Sequence, residues 1–220
     1  MWYFPKLTPE KLIQMLYKNI LLIILMAVSI PGSVLPQNFR EPNQERKWVI
    51  SENSNLCVNG STNINKFSCE IPSYGKSDTL TIVKNKNNRD AISLSGDVGL
   101  NVRSFDCHNS MMTHDLRKTL KEGQFPILHI TFLSLNKLPE FTSQAEKITG
   151  LVDIDIAGVR KQFEVNYLIN EDSQKIIHLI GTRDINFSDF NLVPPRKLGG
   201  MIQTKDRLSV EFNLTIKSLN

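Results

Sequence analysis

The sequence predicts an all-β fold, an antiparallel barrel or sandwich of about 8–10 strands with one short helix. Three observations predict it. Apolar and polar residues alternate with a period of two over most of the chain beyond Lys47. Only one stretch has helical spacing. The one concentrated apolar run, Ile20 to Ile30, lies near the N-terminus and outside the alternating pattern.

That run follows Lys18 and has about the length of a signal-peptide core, too short to span a bilayer comfortably. Ala27-Val28-Ser29 supplies small residues for cleavage. Residues 1–29 therefore read as a signal peptide or an uncleaved membrane leader, a hydrophobic helix in either case. No cysteine follows at once, which argues against a lipoprotein anchor. Both readings send the remaining chain into an oxidising compartment, periplasmic or secreted, where cysteines pair. Membrane association through the leader stays open. Residues 30–46 are rich in Pro, Asn, Gln and charge and read as a linker, which leaves 47–220 as the domain.

The domain reads as a succession of short strands. Candidates are Trp48–Thr62, Phe67–Ile71, Thr79–Lys84, Ile92–Val102, Ile127–Leu135 and Lys175–Phe187. Val152, Ile154 and Ile156 oppose Asp153 and Asp155; beyond a turn at Ala157-Gly158, Phe163, Val165, Tyr167 and Ile169 oppose Glu164 and Asn166. This is a β-hairpin. In the last strand Leu208, Val210, Phe212, Leu214 and Ile216 share one face against Ser209, Glu211, Asn213 and Thr215. The helix runs Ser110–Glu122: Met112, Leu116 and Leu120 fall at intervals of four, and Gly123 closes it. A sheet wet on one face must cover the other, and a closed barrel does so while removing its edges. A barrel of about eight strands can hold one small ligand.

The 220 residues suffice for one domain with a sizeable core. A net charge of +4, without a basic patch interleaved with aromatics, excludes nucleic acid as a partner. The chain has no G-x-S-x-G, no Gly-rich phosphate loop and no cysteine in a nucleophilic Cys/His setting. Asp153/Asp155 and Glu171/Asp172 read as a solvated strand face and a turn. A binding protein without a cofactor is expected, not an enzyme.

One cluster competes with that reading. Cys107, His108, Met111, Met112, His114 and Asp115 fall within nine residues. Zinc sites need three or four converging ligands, usually at paired short spacings. His108 and His114 are six apart, a poor common face on a helix. Met111 can share a face with His114 or Asp115, and soft ligands suit copper(I). The alternative function is thus a metal-binding or redox-related periplasmic protein built on Cys107, His108, Met111 and His114. The quieter reading packs the methionines as core and leaves the histidines at a barrel mouth.

Four segments resemble the landmarks of the YceI-like family. "LCVNGSTNINKFSCEI" resembles its opening hairpin, and "SMMTHDLRKTLKEGQFPILHITF" its polar helix and Phe-Pro strand entry. "ITGLVDIDIAGVRKQFEVNYLI" is similar to its Gly-containing hairpin, and "IGTRDINFSDFNLVPP" to its Ser-Asp-Phe turn. They occur in the family's order from about Trp48 to Leu219. The resemblance implies a lipocalin-like barrel that binds a long isoprenoid or similar amphiphilic lipid, exported and often periplasmic, with no catalytic chemistry to carry over. The cysteines and the long leader depart from the pattern. The lining expected from inward strand faces and the helix is Phe105, Met112, Leu116, Leu120, Phe132, Phe163, Phe187 and Phe190.

The chain has three cysteines, Cys57, Cys69 and Cys107. Phe67-Ser68-Cys69 and Phe105-Asp106-Cys107 share a context, each with Phe and Cys two apart at a strand end near a turn. In an exported protein Cys69 is expected to pair with Cys107, leaving Cys57 reduced. Cys57–Cys69 across the first hairpin is the rival, and three free thiols the remaining alternative.

Overall fold

The computed structural model describes residues 45–84 and 92–219, and Glu10 alone ahead of them. The expected leader, and the expected linker up to residue 44, lie outside the described residues. From Glu45 the chain forms β1 (Glu45–Ile50), β2 (Asn55–Ser61), β3 (Lys66–Ile71), β4 (Asp78–Lys84) and β5 (Ile92–Asn101). A 3-10 turn leads to the helix α1 (Ser110–Thr119). Then come β6 (Ile127–Leu135), β7 (Glu146–Ile156), β8 (Val159–Glu171) and β9 (Ile176–Asn186). After a second 3-10 turn, Phe187–Phe190, a small hairpin of β10 (Arg196–Lys197) and β11 (Ile202–Gln203) precedes β12 (Arg207–Leu219).

Side chains two apart share a face, so strands of this pattern pair until their apolar faces are enclosed. Eight strands do so in the order β1-β4-β5-β6-β7-β8-β9-β12, and β12 returns to β1, giving a closed antiparallel barrel. At the β7–β8 turn both Ala157 and Gly158 have positive φ, 53° and 79°, as a two-residue hairpin of matching twist requires.

The long strand β12 serves two neighbours on one edge. Its end, Ile216–Leu219, pairs with Ile50–Lys47 of β1. Its first half, Ser209–Asn213, pairs with Asn59–Asn55 of β2. The strand expected over Trp48–Thr62 is therefore two strands, broken at Ser51–Ser54. There Ser51 O accepts Ser54 N–H (3.1 Å) and Ser54 O accepts Tyr74 N–H (2.7 Å). The β2–β3 hairpin reaches on to Glu70, which exchanges backbone hydrogen bonds of 2.7 and 2.8 Å with Asp106. That single bridge joins β3 to the chain leaving β5 and completes the wall at the α1 end.

The inward faces form one core. Trp48, Leu80, Leu94, Val152, Ile169, Leu179 and Ile216 are fully buried. Phe212 packs edge-on to Phe132 and Tyr167, with ring centroids 6.3 and 6.0 Å apart. Gly181 stands opposite Phe212 across β9 and β12, and a Cβ there would lie 2.2 Å from the ring.

The helix is shorter than expected. It ends at Thr119, and Lys121 takes a left-handed φ of 54°, accepting the N–H groups of Gln124 and Phe125. The turn therefore starts at Leu120, three residues before Gly123, and Lys121 rather than the glycine takes its left-handed position.

Candidate ligand-binding site

α1 lies over one end of the barrel, held there by local hydrogen bonds. Asn109 caps it by accepting Met112 N–H (3.0 Å). Thr113 Oγ1 accepts Cys107 N–H (2.9 Å), and Arg117 donates to Phe105 O (2.7 Å). These bonds fix which face looks inward: Thr113, Leu116 and Leu120 are buried, whereas Met111 and His114 are exposed.

Three apolar spaces lie in line below and beside α1. A groove of about 190 Å³ opens at the mouth, between α1, the β2–β3 turn and the β10–β11 hairpin. An upper cavity of about 60 Å³ lies under α1, and a lower one of about 20 Å³ deeper in the barrel. Leu116 and Phe187 line both the groove and the upper cavity; Leu56 and Ile130 line both cavities. The line of spaces thus has two constrictions. Each space is smaller than the roughly 300–1,000 Å³ of a typical small-molecule site. Leu116 and Phe187 form the constriction between the groove and the upper cavity.

The lining suits a hydrocarbon. The upper cavity is walled by aliphatic and aromatic side chains, with Asn186 at its edge. Polar groups gather at the groove instead: Asn65, Asn109, Thr204 and the Lys197–Asp115 ion pair at 2.6 Å. Deeper in the core, burial pushes the Tyr167 phenol well above its ordinary range. Its hydroxyl and Trp48 Nε1 are buried and without a hydrogen-bond partner among the described residues.

Of the residues expected to line a cavity, Phe105, Leu116, Leu120, Phe187 and Phe190 line the upper one. Phe132 lines the lower one and Met112 the groove. Phe163 lines none of them. Its ring packs on Phe190 (6.0 Å) under the Arg183 guanidinium (5.4 Å), where β8 has run past its pairing with β9. Leu56, Val58, Ile154, Ile156 and Leu208 line the upper cavity too, beyond the mainly aromatic lining expected from the sequence. Their signal was the alternation itself.

The competing cluster disperses. Cys107 is joined to Cys69 in a disulfide, and Cys57 is the free thiol. His108 turns to Glu70 (3.3 Å), Met111 to the groove, and His114 to the opposite side of α1 beside Arg117, Lys118 and Lys121. Among the described residues no three His, Cys, Asp or Glu side chains converge.

No protein-family model and no curated protein matches the sequence. Solved structures do match in shape. A polyisoprenoid-binding domain from Saccharophagus degradans, implicated in plant cell wall breakdown, aligns at 11% identity with a TM-score of 0.55, covering 78% of this chain and 98% of that one. Burkholderia cenocepacia BcnA aligns at 13% identity with a TM-score of 0.54, over 76% of this chain and 96% of its own. The Campylobacter jejuni YCEI protein is also found, at 18% identity and a TM-score of 0.45, covering 66% and 82% of the two chains. The first two likenesses establish a common fold.

Proposed function

We propose that this YceI-like barrel is an exported lipid-binding protein. It holds a polyisoprenoid or similar amphiphilic lipid, with the tail under α1 and the polar head at the groove. The observation that carries the reading is the line of apolar spaces running from a polar-rimmed mouth into the barrel. Each buried methylene contributes about 0.8 kcal/mol, so a long tail is retained without any specific recognition of its chain. The binding domain from Saccharophagus degradans, named for a polyisoprenoid ligand, has the same fold. Support for export comes from the leader-like N-terminus and from the Cys69–Cys107 disulfide, which persists in an oxidising compartment. The upper cavity is lined by apolar side chains apart from Asn186, with no hydroxyl, thiol, imidazole or carboxylate, which favours binding over catalysis.

The test is extraction of the purified protein with organic solvent, followed by mass spectrometry. A long-chain lipid in near-stoichiometric amount is expected. A preparation from a lipid-containing host that yields no such lipid, and takes none up from added isoprenoid, would refute the reading. Elemental analysis of the same sample tests the metal-binding alternative.

A further inference from the structure

We propose that the mouth of the barrel is a membrane-docking surface, one that seats the groove on an anionic bilayer. The inference rests on the lipid-binding reading only for its purpose; the surface itself is defined by exposed side chains and charge.

Apolar groups that could be buried are instead displayed around the mouth. Ile64, Met111, Leu198 and Met201 are 67%, 64%, 66% and 70% exposed. They sit on three separate tips: the β2–β3 turn, the first turn of α1, and the β10–β11 hairpin. Two of the tips are tied together. Asn63 donates from Nδ2 to Met201 O (2.8 Å) and accepts Gln203 N–H at Oδ1 (3.0 Å), while its own N–H reaches Gln203 O (3.0 Å). Met111 stands across the groove from them, and Ile64 and Met111 both line it. Leu198 carries a left-handed φ of 50°, an unfavourable backbone for a leucine whose side chain also lies in water. Clustered exposed apolar groups of this kind mark contact with a protein or a membrane.

The charge around them selects the membrane. The two tip segments, residues 61–69 and 190–205, contain Lys66, Arg196, Lys197 and Lys205 and no acidic residue. The carboxylates that flank the tips are engaged locally: Glu70 by His108, Asp106 by His108 N–H, Asp189 by Asn186 N–H and Asp206 by Ser188 N–H. The one carboxylate lining the groove, Asp115, is paired with Lys197. Lys66, Arg196 and Lys205 are exposed and make no ion pair among the described residues. Apolar tips that enter the headgroup layer, ringed by cations that meet its phosphates, are the pattern of an interfacial anchor. The groove opens between those tips, so a docked barrel would present its apolar path directly to the lipid tails.

The full chain needs a readout at the mouth, because the apolar run Ile20 to Ile30 can itself carry the protein onto vesicles. An environment-sensitive fluorophore is placed on Met201→Cys, with Cys57→Ser to remove the free thiol. A control carries it on Ser173→Cys, in the β8–β9 turn at the far end of the barrel. Vesicles of phosphatidylcholine, with or without phosphatidylglycerol, are added. The label at position 201 is expected to shift to the blue and to be quenched by a lipid-borne quencher, more strongly on the anionic vesicles; the label at 173 is not. Reversing Lys66, Arg196 and Lys205 to Glu should lower the anionic preference several-fold. A label at 201 that stays in water on vesicle-bound protein overturns the proposal. So does a blue shift without vesicles that follows protein concentration, which would assign the tips to a second copy of the chain. Lipid content is measured in parallel by extraction. Docking without bound lipid leaves this surface standing and the cavity reading refuted; bound lipid without docking does the reverse.

Discussion

Cys69 and Cys107 are joined across a single antiparallel bridge, each one residue beyond the Glu70–Asp106 pair, and close a loop of 38 residues. The bond therefore locks the one backbone bridge that joins β3, among the described residues, to the chain entering α1. In the chain-entropy model a loop of this size stabilises by about 3–4 kcal/mol. Cys107→Ser, or reduction, should lower the denaturation midpoint accordingly. The loss should be greatest at the mouth, seen as faster amide exchange in α1 and β3. Alkylation without reductant should label Cys57 and leave Cys107 unlabelled.

Gly181 and Phe212 make a second testable pair. They are directly opposed in register, and the phenyl ring occupies the place a Cβ would take on residue 181. Gly181→Ala should destabilise by about 1–3 kcal/mol through overpacking. Adding Phe212→Leu should recover part of that loss, because two changes in contact do not add. Denaturant midpoints of the two single variants and the double variant measure the coupling. Strict additivity would show that the ring and the glycine do not share the space.

Much of this architecture is legible in the sequence because alternation reports burial directly. Ile127–Leu135 forms a strand over the very residues expected, and the hairpin turns at Ala157-Gly158 as read. The break between β1 and β2 is hidden for a physical reason. Trp48 and Ile50 before the bend and Leu56 and Val58 after it all occupy even positions and are all buried, so the two strands share one phase even though Glu52 between them is exposed. Phe163 misleads in the opposite way. Its period matches Val165 and Tyr167, yet whether an inward position meets a cavity depends on the neighbouring strand, and β8–β9 pairing has ended at Asn166↔Thr182. The groove was beyond reach because the β10–β11 hairpin, two residues on each strand, carries no periodic signal. The disulfide was foreseeable from the repeated Phe-x-Cys context, although local sequence could not exclude the Cys57–Cys69 rival.

Acid should act on the outer face of β5 and β6. Burial tends to raise the Asp97 carboxyl, but hydrogen bonds from His129 (2.8 Å) and Thr131 (2.9 Å) outweigh it and hold the group below its ordinary range. A carboxyl depressed in the folded state stabilises the fold above its unfolded value, about pH 4, and loses that contribution as pH falls through the folded value. Asp97→Asn should therefore flatten the acid limb of the stability curve. The effect is at most about 1 kcal/mol, since the pair is solvent-exposed. Denaturant titrations of parent and variant from neutral pH down to acid measure it. Parallel curves would show that Asp97 contributes nothing there.

Leu116 is the residue at which packing and proposed function meet. It is buried on the inner side of α1 and separates the mouth groove from the upper cavity. Leu116→Asp would put a carboxylate among Phe105, Leu120 and Phe187, with no partner in the upper cavity. An unpaired polar group costs about 1–3 kcal/mol on protein scales, and an ionised carboxylate more. The short helix can relieve part of that by shifting outward. The variant should therefore fold with a lower midpoint and lose most of its co-purifying lipid. Leu116→Ala acts differently: it costs about 2–5 kcal/mol of packing but widens the upper constriction. It should keep its lipid and exchange it faster with added vesicles. Leu168→Asp, on the solvent side of β8, is the control and should leave both occupancy and exchange unchanged. Extraction with mass spectrometry gives occupancy, and near-ultraviolet circular dichroism shows that each variant is folded. A folded Leu116→Asp protein with the parent's lipid content would mean that the tail does not pass beneath α1, and the binding path would have to be sought elsewhere on the barrel.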